Sequence, residues 1–340
     1  MKYALRILLP SLTLLAFLLP LGGCSCGFDC NNDDSDNGNN LAQLTLGFSD
    51  SLPEDLKQVV IEVNTITLRR SGLEDVVIDT FTIPELNLVN ATTFKVDLLE
   101  YRGIKQLLVI EDLELVTGTY SGISIAILTG DVNKSYVQED DDSLKEISVS
   151  GGVLSAPGMV LSSGQQAFTV EFGLALALQY QESTDTYLLT NTGVRTEDNQ
   201  SAARLSGTVD DSLFNTVSPC SAKTDPEKGN RVYLYKGLNL LKENLADVFT
   251  TQSQTSIPAN AIAPFAVASM AEDSLTGIWN YAFGYIPAGS YTIAFACNTE
   301  ADDAVDYNGL TIPLPTGQKY EVTLSEGELT TCNLAEGASC

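Results

Sequence analysis

The reactive side chains of this 340-residue sequence are 44 Asp and Glu and seven Cys, and there is no His. Without an imidazole, Ser-His-Asp and Cys-His nucleophile systems, His-ligated zinc and a histidine pH switch are all excluded. No lysine has a serine three residues before it, and Gly-x-Ser-x-Gly, Walker A and Gly-x-Gly-x-x-Gly patterns do not occur. The acid chemistry left is that of a carboxylate pair, which glycoside hydrolysis uses at about 5–10 Å. In so acidic a chain such pairs arise by chance, so the expectation is no enzyme, no catalytic residue and no cofactor. The clusters Glu139-Asp140-Asp141-Asp142 and Asp302, Asp303 and Asp306 offer the oxygen ligands that calcium takes. A solvated charge run explains them as well, and no metal site is assigned. Trp279, Tyr281, Phe283 and Tyr285 would stack on a sugar if their shared face were open, although alternation at strand spacing more often marks a core.

The N-terminus points to chemistry at Cys24. Lys2 and Arg6 precede an apolar run, Ile7 to Leu21, interrupted by Pro10, Ser11, Thr13 and Pro20. The run is too short and broken to cross about 30 Å of hydrocarbon as a helix, and it fits the core of a secretory signal peptide. Leu21-Gly22-Gly23-Cys24 resembles the bacterial lipobox. The resemblance implies cleavage before Cys24, acylation of its thiol and a membrane anchor of more than one acyl chain. Ser25 in the next position implies the outer membrane of a two-membrane cell. Residues 24–40, rich in Asn, Asp, Gly and Ser, read as a flexible tether.

Charge limits the partners. The whole chain carries a formal net charge of −26, and losing Lys2 and Arg6 would take it to −28. Such a field repels nucleic acid and anionic lipid. The expected partners are a membrane through the lipid, and beyond it an envelope protein or a glycan. The oligomeric state is left open. With Cys24 acylated, six cysteines remain, an even number suited to disulfides in an exported chain. Cys220 with Cys297 is the expected bridge, closing a loop worth about 4 kcal/mol in the chain-entropy model. Cys332 is the competing partner for either, and Cys26 and Cys30 are close enough in sequence to pair locally.

From residue 41 the dominant period is two. Leu44, Leu46 and Phe48 alternate with polar or small residues, as do Val59, Ile61 and Val63, then Phe94, Val96 and Leu98, then Ile123, Ile125 and Ile127. The longest alternation runs from Phe168 to Tyr180 and predicts one strand with one buried face. A second series includes Leu205, Gly207 and Val209, the segment Arg231 to Tyr235, the Trp279 to Tyr285 ladder, Tyr291 to Cys297, and Tyr320, Val322 and Leu324. One helical turn is expected within Ser51 to Gln58, and Leu238 to Phe249 has a partial helical stripe. The polar stretch Thr190 to Ala203 reads as a boundary. The expected class is all-β: two β-sandwich domains, 41–200 and 201–340, on a lipid-anchored tether. Thr117-Gly118-Thr119-Tyr120 and Ala288-Gly289-Ser290-Tyr291 echo one another, each ahead of an alternating strand.

Three segments carry a family resemblance: LTLGFSDSLPEDLKQVVIEVNTITL (44–68), FKVDLLEY (94–101) and LELVTGTYSGISIAI (113–127). Over roughly 41–195 the chain resembles the bacterial domain of unknown function family 4382. That implies an immunoglobulin-like or transthyretin-like fold on secreted lipoproteins and no known activity. The segment YIPAGSYTIAFAC (285–297) is similar to carboxypeptidase-regulatory-like and starch-binding-like sandwiches. From these readings the sequence-based expectation is a non-catalytic envelope lipoprotein with a structural, adhesive or partner-binding role. The alternative is a carbohydrate-binding lipoprotein serving glycan uptake or degradation.

Overall fold

The structure is a computed structural model that describes residues 41–50 and 56–340, apart from residues 217, 219, 224 and 227 and the side chain of 222. The signal segment, Cys24, the tether and the Cys26 and Cys30 pair lie outside the described residues. Among the described residues 50% are strand and 8% helix, so the class is all-β.

Alternation places the first core. Ala42, Leu44, Leu46 and Phe48 are all fully buried along the strand Leu41–Ser49. That strand lies between Gly164–Glu171, running parallel to it, and Leu107–Val116, running antiparallel. Arg195–Asp198 completes this four-stranded sheet on the far side of Gly164–Glu171. A nine-stranded sheet faces it, centred on the long strand Leu56–Arg69, which pairs with Gly118–Ile127 and Tyr136–Glu139. Val59, Ile61 and Val63 from the second sheet meet Leu46 and Phe48 from the first in one apolar cluster. Each such fully buried side chain is worth about 1.5–3 kcal/mol.

The C-terminal half repeats the plan with two four-stranded sheets. One orders Ala271–Glu272, Trp279–Ile286, Ala203–Val209 and Leu329–Thr331; the other orders Ala266–Ser269, Arg231–Lys236, Gly289–Ala296 and Lys319–Leu324. The turn at Pro287 and Ala288 therefore passes the chain from one sheet to the other. Val232 and Leu234 point into the core between the sheets, where Phe283 and Ile293 also lie. Tyr233 and Tyr235, on the opposite face of the same strand, are buried too, under Leu245, Val248 and Ile312.

The two halves meet closely within one compact unit, residues 39–340. A Cβ on Gly284 would sit 1.8 Å from the Gly103 carbonyl oxygen, so only glycine allows the two backbones this approach. Gly103 itself has φ +63°, the left-handed region that favours glycine. The Tyr285 hydroxyl donates to the Ile104 carbonyl at 3.3 Å, and the Arg195 guanidinium lies 4.8 Å from the Phe265 ring centre. Leu176 joins the apolar cluster under Tyr233 and Tyr235.

Three expectations need correction, and the stretch read as a boundary is itself structured. The alternation from Phe168 to Tyr180 is not one strand: Gly164–Glu171 ends before Gly173, which adopts φ +57°, a helical turn spans Leu174–Ala177, and a new strand begins at Leu178. Nor is only one face of that segment covered, because Thr169 and Glu171 are as fully buried as Val170. The polar stretch from Thr190 to Ala203 holds the strand Arg195–Asp198, which extends the first sheet. Of the helical turn expected at Ser51 to Gln58, Leu56 to Gln58 open a strand and the rest falls outside the described residues. The stripe from Leu238 to Phe249 gives only a 3-10 turn, Lys242–Asn244.

Candidate functional site

Four segments bring polar side chains together at a cleft of about 470 Å³ lined by Leu56, Glu139, Asp140, Tyr180, Tyr187, Arg231, Asp302 and Asp303, among others. The first acidic cluster forms the tip of the hairpin between Tyr136–Glu139 and Leu144–Val149. Asp142 takes φ +69° there, and the Asp141 carboxylate accepts from the Ser143 backbone at 2.9 Å. The Ser143 hydroxyl, and after it this backbone contact, hold the Asp141 carboxyl below its usual range.

Tyr180 and Tyr187 face one another across the next hairpin, with ring centres 5.2 Å apart. The Tyr187 hydroxyl donates to Glu139 at 2.9 Å, and the Tyr180 hydroxyl donates to Asp185 at 2.7 Å. Burial, and then Glu139, pushes the Tyr187 phenol well up. Lys145 lies 2.6 Å from Asp185 and 4.0 Å from Glu139. Lys228 pairs with Asp140 from the other side. The acids of the cleft are thus largely engaged by neighbouring cations and phenols.

The second acidic cluster is not a solvated run. The Asp302 side chain is fully buried. It accepts from the Tyr233 hydroxyl at 2.5 Å and the Val248 amide at 2.9 Å, and it lies 3.1 Å from Arg231 Nη1. Burial pushes its carboxyl up to about 6, against the pull of Arg231. It therefore pins two loops to the strand Arg231–Lys236. Asp303 caps the backbone amides of Val305 and Asp306, and Asp306 accepts from the Gln254 amide. Among the described residues no three acids or cysteines converge on a metal position.

The aromatic ladder is buried, Trp279, Tyr281 and Phe283 in the core between the sheets and Tyr285 at the seam. Trp279, Tyr281, Phe283 and Tyr285 are between 1% and 9% exposed, and the Tyr281 hydroxyl donates to the Cys332 carbonyl at 2.7 Å. A glycan would find no platform there, which corrects the one residue set the carbohydrate-binding alternative had named. The physical reason is that this strand lies between two others and faces a second sheet. Cys220 is bonded to Cys297, and Cys332 to Cys340. The Tyr180 and Tyr187 pair was missed, although their placement on either side of Ser183-Thr184-Asp185 is a hairpin signal that puts the rings opposite one another.

Residues 41–191 match the model of the family described as Domain of unknown function (DUF4382). No curated protein matches the chain. Among solved structures, a leucine-rich repeat protein from Bacteroides thetaiotaomicron is similar over 86% of this chain and 26% of its own, at 12% identity and a TM-score of 0.18. The minor pilin of Streptococcus agalactiae is similar over 85% of this chain and 93% of its own, at 10% identity and a TM-score of 0.17. The major pilin subunit of Bacillus cereus is similar over 87% and 70%, at 10% identity and a TM-score of 0.16.

Proposed function

We propose that this chain, whose residues 41–191 match the DUF4382 model, is a non-catalytic protein of the cell envelope, anchored by lipid at Cys24 and holding a rigid β body away from the membrane. The reading takes 1–23 as the signal peptide and 24–40 as the tether. It takes 41–200 and 201–340 as two sandwich domains and the outer membrane as the site of anchoring. Its role is structural, adhesive or partner-holding.

The observation that carries this is the close seam between the halves. Gly103 against Gly284, Tyr285 on Ile104 and Arg195 over Phe265 leave the two sandwiches little freedom to move against each other. Relative domain motion is the usual basis for a closing active site, and a fused pair suits a spacer or a presented surface better. The pairing of Glu139, Asp140, Asp185 and Asp302 with cations and phenols also supports a supporting role for those acids.

Fractionation of cells making the wild-type chain and Cys24→Ala tests the anchor. Wild type is expected in the membrane fraction with an acylated Cys24 by mass spectrometry, and the variant without lipid. An unacylated, uncleaved wild-type chain in the cytosol would overturn the reading. Carbohydrate binding keeps one foothold in the cleft, where Tyr180 is 46% exposed beside Tyr187. Loss of glycan-array binding in a folded Tyr180→Ala protein would favour it.

A further inference from the structure

The seam between the halves leaves a groove of about 850 Å³ beside the strand Trp279–Ile286. Small-molecule sites usually measure about 300–1,000 Å³. One wall is the loop from Arg102 to Lys105 of the N-terminal half; the other is the strand pair Ala203–Val209 and Trp279–Ile286 of the C-terminal half. Ser206, Thr208, Asn280 and Ala282 alternate with the core residues Leu205, Tyr281 and Phe283, so their side chains face the groove. A Cβ on Gly103 would lie 3.0 Å from the Ala282 Cβ, so the two walls meet there.

The groove holds polar groups that the protein leaves unmatched. Arg102 and Lys105 are both exposed, and neither side chain forms an ion pair or a hydrogen bond among the described residues. Elsewhere Lys57, Lys145, Arg195 and Arg231 each face a carboxylate. Ala268 and Met270, on either side of Ser269, enter the core between the sheets, so Ser269 points the other way and lines the groove. It is 7% exposed, and its hydroxyl has no hydrogen-bond partner in the protein. A ligand that bonded to it would recover the cost of burying it unpaired. Asn333 Oδ1 accepts from the Thr208 amide at 3.0 Å, which leaves Nδ2 to donate. Asn280 Nδ2 donates to the Ile278 carbonyl at 2.9 Å, which leaves Oδ1 to accept. The acid on the rim, Asp273, is taken up by the amides of Leu275 and Thr276.

We propose that this groove binds a carboxylated sugar, with its carboxylate held by Arg102 and Lys105 and its hydroxyls by Ser269, Asn280 and Asn333. Charge complementarity selects the anion, because two unpaired cations stand together in a chain of net charge −26. A sugar suits the remainder: neutral donors and acceptors ring a floor of Gly207, Ala268 and Ala282, small enough to admit the C–H face of a pyranose. A nucleic acid suits it poorly, since the whole chain repels a polyanion and the aromatic ring at the groove, Tyr281, is buried and closed to a base. Both halves supply walls, so the site is complete only with the seam closed. The proposal rests on the partner-holding role given above and names the chemistry of the partner.

The test is calorimetric titration of the purified full-length chain with digalacturonate, with its dimethyl ester and with inorganic sulfate. Digalacturonate is expected to bind, and the uncharged ester to bind about tenfold more weakly or worse. Arg102→Gln and Lys105→Gln, both at exposed positions, should each weaken digalacturonate binding by a similar factor. Lys242→Gln makes the same change of charge outside the groove and should leave binding as it is. Ser269→Ala should weaken binding while the free protein resists urea as well as wild type or better, which a hydroxyl with a structural role would not allow. No binding of digalacturonate, equal binding of the ester, or an equal loss in Lys242→Gln would overturn the proposal. Equal binding of sulfate, or tighter binding of an Asp-Asp dipeptide, would overturn the assignment to a sugar. The anchor fails separately: a chain that binds digalacturonate without an acyl group at Cys24 would sink the anchor alone, and an acylated chain that binds none would sink the groove alone.

Discussion

Tyr120 and Tyr291 make the same hydrogen bond in the two halves of the molecule: each hydroxyl donates to the carbonyl four residues upstream, Val116 at 2.9 Å and Pro287 at 2.7 Å. Both rings are buried, and each follows a glycine with positive φ, Gly118 at +136° and Gly289 at +152°. The arrangement is that of a tyrosine corner in a sandwich domain, where the phenol ties the incoming turn to the strand it begins.

Tyr120→Phe and Tyr291→Phe should therefore act alike. Each removes one buried donor and leaves its ring in place, for an expected loss of about 1 kcal/mol. Urea unfolding of both variants measures this. A loss from one and none from the other would contradict the equivalence of the two corners.

The seam makes Gly284 intolerant of any side chain. Gly284→Ala places a Cβ on the Gly103 carbonyl, and backbone on both sides has to shift. The expected cost is about 1–3 kcal/mol, as for other overpacked sites. Protease nicking near Gly103 or Tyr285 should also rise. Gly72→Ala is the control for glycine replacement in open space, since a Cβ there meets nothing, and its positive φ leaves only backbone strain to account for.

Glu171 predicts a pH dependence with a definite sign. Its carboxyl is raised from 4.5 to about 7 in the folded protein, so the folded state holds a proton that the unfolded state has released. The stability from this group is full below pH 4.5 and is lost as pH rises through 7, a change of about 3 kcal/mol. Glu171→Gln removes the titration. The variant should match wild type below pH 4.5 and exceed it at pH 8 in chemical unfolding. Equal stabilities at pH 8 would contradict the assignment.

The strands were legible because burial on one face imprints a period of two, as at Leu44, Leu46 and Phe48 or at Ile123, Ile125 and Ile127. The repeated Gly-x-Tyr was legible because turn chemistry is local. What failed was local in form and set by distant contacts. Leu174 to Ala177 fits a strand alternation and a single helical turn equally well, and the positive φ at Gly173 decides between them. Glu171 sits on what sequence alone treats as the open face of its strand, yet it is fully buried. The Trp279 ladder has the spacing of a sugar platform and of a core, and the facing sheet settles which. The Tyr180 and Tyr187 pair at the cleft belongs to a short hairpin, Leu178–Gln181 with Thr186–Leu189, that begins where the expected long strand ends.

Calorimetric unfolding of residues 41–340 asks most directly whether the two sandwiches are one body. Seated on each other through Gly103 and Gly284, with Leu176 in the apolar cluster under Tyr233, they should melt in a single transition whose calorimetric and van't Hoff enthalpies agree. Two resolved transitions, or a van't Hoff enthalpy near half the calorimetric value, would mean independent modules and would contradict the account.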